Sequence, residues 1–171
     1  MTVTVRWLQP DEWHVLRDLR LRALADAPDA FGGPGIDAEA AQPDEAWRKR
    51  FDTADWLVIS AANPARPGST LDVGLLCLAP QHGDETGAGW IFSWWVDAQA
   101  RGGAVTSAMV RAVDERCRER GWTSMGLGTF PENDRARRAF ARLGFVAGPQ
   151  QRGTMPPYPD YIPMTRAVPA A

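Results

Sequence analysis

A strand that runs into a glycine turn and then into a helix constrains this chain more than any other feature. Residues 90–96 (WIFSWWV) form an apolar run, QARGGA follows at 99–104, and an amphipathic segment begins at Val105. Such a junction cradles an anion. Glycines let the backbone approach closely, and unpaired N–H groups at the helix N-terminus carry partial positive charge. Gln99, Arg101, Gly102, Gly103 and Ala104 are placed to form the cradle, with Val105 and Thr106 beginning the helix. Val105, Met109, Ala112, Val113 and Cys117 recur at spacings of three and four, the stripe of a helix packed on a core. The spacing excludes two nucleotide loops. No Lys-Ser/Thr pair follows the glycines, as a G-x-x-x-x-G-K-S/T loop requires, and adjacent Gly102 and Gly103 break the G-x-G-x-x-G fingerprint.

The junction resembles the acetyl-CoA signature Q/R-x-x-G-x-G/A of the GNAT superfamily of N-acetyltransferases, with Gln99, Gly102 and Ala104 in its defining positions. Downstream, Asn133, Ala136, Phe140, Gly144 and Phe145 match that family's N-x-x-A-x-x-x-Y-x-x-x-G-F spacing. The phrase LRALADAPDAFG is similar to one found in many bacterial members. The resemblance implies one α/β domain over residues 1–171. Its sheet is mixed and mostly antiparallel, of roughly six to seven strands flanked by about four helices, and splayed at the strand pair that takes CoA. It implies acetyl-CoA as cosubstrate, with no metal. The residues implied to hold it are Trp94, Trp95 and Val96 on the strand, Gln99, Arg101, Gly102, Gly103, Ala104, Val105 and Thr106 in the cradle, and Asn133, Arg135 and Phe140 beyond. Val96 occupies the place from which the family's strand supplies backbone groups to pantetheine. Two departures stand out. Ala98 replaces a common proline, and Phe140 replaces the Tyr credited in many members with protonating the leaving thiolate. Phenylalanine has no proton to give, so that role does not carry over.

At 171 residues the chain matches one domain with a sizeable core. A net charge of −2 argues against nonspecific nucleic-acid or acidic-membrane binding, because a phosphate footprint needs clustered cations. The one basic cluster, Arg135, Arg137, Arg138 and Arg142, reads as a solvated helix face or as a contributor to CoA phosphate binding. Cys77 and Cys117 are too few for a disulfide framework and lack metal-ligand spacing, so each reads as a buried small hydrophobe. No leader-like segment opens the chain and no apolar run approaches ~20 residues, so a cytoplasmic protein is expected.

Along the chain, Thr2–Leu8 alternates as a strand. Pro10 and Asp11 start a helix with Trp13, Leu16, Leu19, Ala23 and Leu24 near one face, ended by Pro28. Residues 31–43 hold three Gly and two Pro and read as a mobile loop; a short helix around Asp44–Phe51 follows. Trp56–Ala61 and Leu71–Leu78 read as strands, and His82–Gly89 as a second loop before the strand at Trp90–Val96. Ser124–Phe130 is the next strand, and Asn133 caps a last helix that stops at Gly144. Residues 146–168 read as a hairpin ending in a strand at Tyr161–Val168.

Acetyl transfer from a thioester to an amine asks the protein mainly to align the two and to stabilise developing negative charge. An alkyl amine with a pKa of about 10.4 must first lose a proton. The strand at 90–96 offers one hydroxyl, Ser93, and no carboxylate. Base candidates therefore come from the loops: Glu39 in the first, and His82, Asp84 and Glu85 in the second, with His82 best matched in pKa. Tyr158, Asp160 and Tyr161 are candidates to replace the missing acid. The catalytic set carried forward is His82, Glu85, Ser93 and Tyr161. Trp7, Trp13, Trp56 and Trp122 fit core positions. Trp47, Trp90, Trp94 and Trp95 are placed beside the acceptor, where an indole can receive a cation. Trp94 and Trp95, being adjacent, should face opposite sides of the sheet.

These features favour an N-acetyltransferase acting on a primary amine of a small molecule: an antibiotic, an amino acid or a polyamine-like compound. The acidic loop residues Asp37, Glu39, Asp84, Glu85 and Asp160 point to a cationic acceptor. A peptide or protein N-acetyltransferase and a non-catalytic CoA-binding module are the alternatives. Neither nucleic acid nor membrane is expected as a partner, and a homodimer is left open.

Overall fold

The computed structural model describes residues 3–81, 87–153 and 159–170. Seven strands form one sheet in the order β1-β2-β3-β4-β5-β7-β6. β1 (Val3–Trp7), β2 (Asp55–Ala62), β3 (Thr70–Pro80) and β4 (Ala88–Val96) pair antiparallel, each with the next. β5 (Ser124–Thr129) joins β4 in parallel, and β7 (Ile162–Ala167) returns antiparallel to β5 with the two-residue β6 (Val146–Ala147) at the edge. The mostly antiparallel sheet expected from the sequence is therefore present, as is the C-terminal hairpin.

The α-helices are α1 (Trp13–Asp26), α2 (Ile36–Ala40), α3 (Asp44–Lys49), α4 (Gly103–Glu119) and α5 (Asp134–Arg142). α2 lies inside the segment that its glycines and prolines mark as a loop. Gly35 takes an extended conformation ahead of Ile36, and Asp37 and Glu39 in the first turn suit the positive end of the helix dipole.

Both faces of the sheet are buried. On one, Val105, Met109, Val113 and Cys117 of α4 pack on Leu57, Ile59, Leu76, Leu78, Ile91 and Leu127. On the other, Leu16, Leu19 and Ala23 of α1 cover Val58, Leu75, Cys77 and Trp95, together with Trp47 of α3. Trp47 is fully buried, so it belongs to this core rather than to an acceptor cleft. Alternation along β2 serves both cores, with Leu57 and Ile59 on one side and Val58 on the other.

β4 does not keep a simple period of two. Leu75 pairs with Trp95 but Cys77 pairs with Phe92, so β4 carries one extra residue over that span. Ser93 sits at the bulge with φ +50°, the one non-Gly residue among the described residues in positive φ. The extra residue reverses the facing pattern. Ile91 lies on the α4 side, and so do Trp94 and Val96, while Trp95 lies on the α1 side. β4 and β5 pair only over Ala88–Ile91 and Ser124–Leu127. Beyond that, β5 stays with β7 as far as Thr129 and Ile162 while β4 stays with β3 as far as Val96, so β4 and β5 part after Ile91, ahead of the cradle.

Candidate active site

Asp97 turns the chain out of β4. Its N–H donates to the Val73 carbonyl at 2.8 Å, and its Oδ1 accepts from the Gln99 N–H at 3.0 Å. Arg22 of α1 fixes the other carboxylate oxygen at 3.3 Å and also reaches the Asp72 carbonyl at 3.1 Å. Gly102 precedes α4 without a side-chain cap, and the Thr106 N–H bonds back to the Gly102 carbonyl at 3.3 Å. The N–H groups of Gly103, Ala104 and Val105 come before that ladder, at the positive end of the helix dipole. A Cβ on Gly102 or Gly103 would meet nothing within 4 Å, so the turn is open on its outer side. The helix thus begins at Gly103, two residues before the sequence pattern shows it. The Val105 side chain is wholly buried, leaving its backbone for a ligand, and Thr106 is half-buried.

Arg101 is tied down. Its Nε donates to the Val96 carbonyl at 3.0 Å and its guanidinium pairs with Asp26 at the end of α1. The same Asp26 oxygen accepts from Trp95 Nε1 at 2.9 Å, which anchors that indole on the α1 side of the sheet. Trp94 faces the other side, 5.1 Å from the ring of Phe140, which stands 5.9 Å from Phe145. Asn133 caps α5, its Oδ1 accepting from the Ala136 N–H at 3.0 Å. Arg135, Arg138 and Arg142 are exposed on α5, whereas Arg137 bonds the Phe130 carbonyl at 2.8 Å and pairs with Asp134.

A cleft of about 670 Å³ lies between the end of α1, the β5–α5 turn and the C-terminal segment. Asp29, Phe31, Phe130, Glu132, Gln150 and Asp160 are among its walls. An adjoining hollow of about 510 Å³ shares Asp29 and Glu132 and reaches Asp26 and Asn133. The described walls of the larger cleft carry three carboxylates and no lysine or arginine. The sequence points to the Phe31 segment and to Asp160, but not to the β5–α5 turn. The available signal there was Pro131, between an apolar strand and an N-cap.

The remaining candidates fall apart spatially. His82, Asp84, Glu85 and Tyr158 lie outside the described residues. Asp37 is exposed on α2 and Glu39 is buried there, paired with Arg20 and Arg50, so Glu39 is not a free base. Ser93 accepts from Arg20 NH1 at 3.3 Å. The Tyr161 hydroxyl donates to Gln151 Oε1 at 2.8 Å, and its ring stands 6.4 Å from Trp90. Burial pushes the Cys77 thiol up to about 12 and the Cys117 thiol up to about 11, so both stay protonated near neutrality. Among the described residues no His, Cys, Asp or Glu group could hold a metal ion, and no helix is long and apolar enough to cross a membrane.

A sheet parted beside a bare helix N-terminus leaves room for an extended ligand that carries a phosphate group. The sequence model of the acetyltransferase (GNAT) family matches residues 37–145, and the chain belongs to that family. Its acyl donor is acetyl-CoA. No curated protein matches it in sequence. Among solved structures, the ribosomal-protein-S5-alanine acetyltransferase from Vibrio fischeri is similar at TM-score 0.73 and 14% identity, over 98% of this chain and 94% of that one. YncA from Salmonella typhimurium, solved with its cofactor acetyl-CoA, is similar at TM-score 0.66 and 16% identity, over 100% and 96%. Ard1 from Thermoplasma volcanium is similar at TM-score 0.68 and 20% identity, over 99% and 100%. The residues present fit the donor. The open glycine turn and bare α4 N-terminus suit its pyrophosphate, and the parted strands with Trp94 and Phe140 alongside suit its pantetheine arm.

Proposed function

We propose that the protein acetylates a primary amine on a cationic small molecule, polyamine-like, amino-acid-like or a cationic antibiotic. The observation that carries this is the cleft, whose described walls place Asp29, Glu132 and Asp160 around it and no basic side chain. Carboxylates at a cleft concentrate cations, and Phe31 and Phe130 offer apolar faces to the body of the acceptor. Acetyl-CoA supplies an activated thioester. The chain aligns it: the α4 N–H groups hold the pyrophosphate, and Trp94 and Phe140 flank the pantetheine arm. The cleft carboxylates draw in the ammonium and take its proton directly or through water. With Phe140 in place of Tyr, the Ser93 hydroxyl on β4 or solvent returns a proton to the thiolate.

A second reading, acetylation of a peptide N-terminus, is favoured by the named activity of the Vibrio fischeri structure, and an acidic cleft suits a terminal ammonium equally. Thiol release from acetyl-CoA across a panel tests both. The panel pairs polyamines, amino acids and cationic antibiotics with anionic analogues, alongside peptides with varied first residues. Cationic small amines should exceed their anionic analogues in kcat/KM by at least about tenfold, or ~1.4 kcal/mol. Anionic preference overturns the acceptor class, faster peptides select the second reading, and CoA binding without any release indicates a binding module.

A further inference from the structure

Arg20 of α1 is 5% exposed, and its guanidinium meets three separate segments. Nε donates to Glu39 Oε1 on α2 at 3.4 Å, and NH1 donates to Ser93 Oγ on β4 at 3.3 Å. The ring of Phe31 lies 4.8 Å from its central carbon. Glu39, itself 4% exposed, pairs at 2.5 Å with Arg50 just past α3, and Arg50 stacks on buried Trp47 at 3.9 Å. Two cations thus face one carboxylate, Arg20 and Glu39 buried and Arg50 half-buried. Clusters of this kind are expensive to desolvate and add little stability over apolar side chains of the same volume. What the cluster provides is geometry. A guanidinium is flat and forked, so bonding through two of its nitrogens fixes the angle between the groups it joins. Here those groups are Glu39 of α2 and the one strained serine of β4, while Phe31, a wall of the acceptor cleft, rests against the guanidinium. Ser93 at φ +50° occupies a conformation that persists only where its surroundings over-determine it.

We propose that Arg20 is a positioning residue, locked by Glu39 and Arg50, that holds the Ser93 kink of β4 in register with the Phe31 wall of the acceptor cleft. This rests on the reading that β4 presents the acyl donor to that cleft. The test uses Arg20→Lys, Ser93→Ala and the double variant in the full chain saturated with CoA. Hydrogen exchange at the amides of Ser93, Trp94 and Trp95 reads the kink without any need for turnover. Each single variant should speed exchange there by about tenfold, and the double by no more than either single. Unchanged protection in Ser93→Ala, or additive effects in the double, overturns the proposal. The second readout is kcat on the best acceptor of the amine panel. Both singles should lower it about tenfold with CoA affinity held within about twofold, and the double should match Ser93→Ala. An Arg20 that only supported the fold would give additive losses. If the wild type acetylates no amine while exchange shows the coupling, the proposed acceptor class fails and the positioning role stands.

Discussion

Phe140 stands where the motif that this chain resembles carries a Tyr. It packs between Trp94 of β4 and Phe145, so a hydroxyl added to its ring lies beside the strand that parts from β5. A general acid contributes on the order of 10²-fold, so Phe140→Tyr should raise kcat by about tenfold or more, with CoA affinity unchanged, if thiolate protonation limits turnover. Calorimetry and steady-state kinetics on the same preparation check it. A variant that binds CoA normally with no gain shows that Ser93 or water already supplies the proton. The two thiols make a second prediction at this scale. Their ordinary pKa is 9.0, and burial raises it to about 12 for Cys77 and about 11 for Cys117. The folded state therefore holds protons that the unfolded chain gives up first. Their stabilising contribution is complete below pH 9 and is lost as pH rises from there to about 12. Urea melts between pH 8 and 11 should show this fall, and Cys117→Ala should flatten it. Individual residues were also where the sequence misled most. Glu39 looks like a free loop carboxylate because its partners, Arg20 and Arg50, are distant in sequence or belong to another helix, and pairing of that kind has no local signature.

At the scale of elements, the strand–turn–helix junction was legible because its signals are local: glycine, helix period and capping chemistry all lie within a short window. The β4 bulge was not. Counting faces by twos puts Trp94 and Trp95 on opposite sides, as they are, but it gives no sign that Ser93 resets the count after Ile91. α2 was hidden for a related reason. Its five residues are too few to show a helical period against the glycines and prolines before them. The cradle supports a clean experiment. A Cβ at Gly103 meets nothing within 4 Å, so Gly103→Val should leave the melting temperature near that of the wild type. The same side chain crowds an approaching pyrophosphate, and CoA affinity should fall at least about tenfold, or ~1.4 kcal/mol. Unaltered affinity would remove this turn from the donor site.

At the scale of the whole molecule, one sheet separates two cores that share its strands, Leu57 and Ile59 facing α4 while Val58 and Leu75 face α1. Neither core can melt alone without exposing the other side of the same strands. Met109→Ala and Leu75→Ala should each cost about 2–5 kcal/mol, lowering the melting temperature by roughly 5–15 °C in a single cooperative transition. Two separate transitions in a calorimetric scan of either variant would show that the cores are independent. The last turn of α1 has a different importance. Arg22 and Asp26 steady the cradle through Asp97 and Arg101, and the same stretch of chain runs directly into Pro28, Asp29 and Phe31 of the cleft. Two ligands that bear on one short piece of backbone are thermodynamically linked. The factor by which bound CoA alters affinity for the amine must equal the factor by which the amine alters affinity for CoA. The end of this helix is thus where the molecule sets whether its two substrates help or hinder one another, and each isotherm measured in the presence of the other ligand gives the same number.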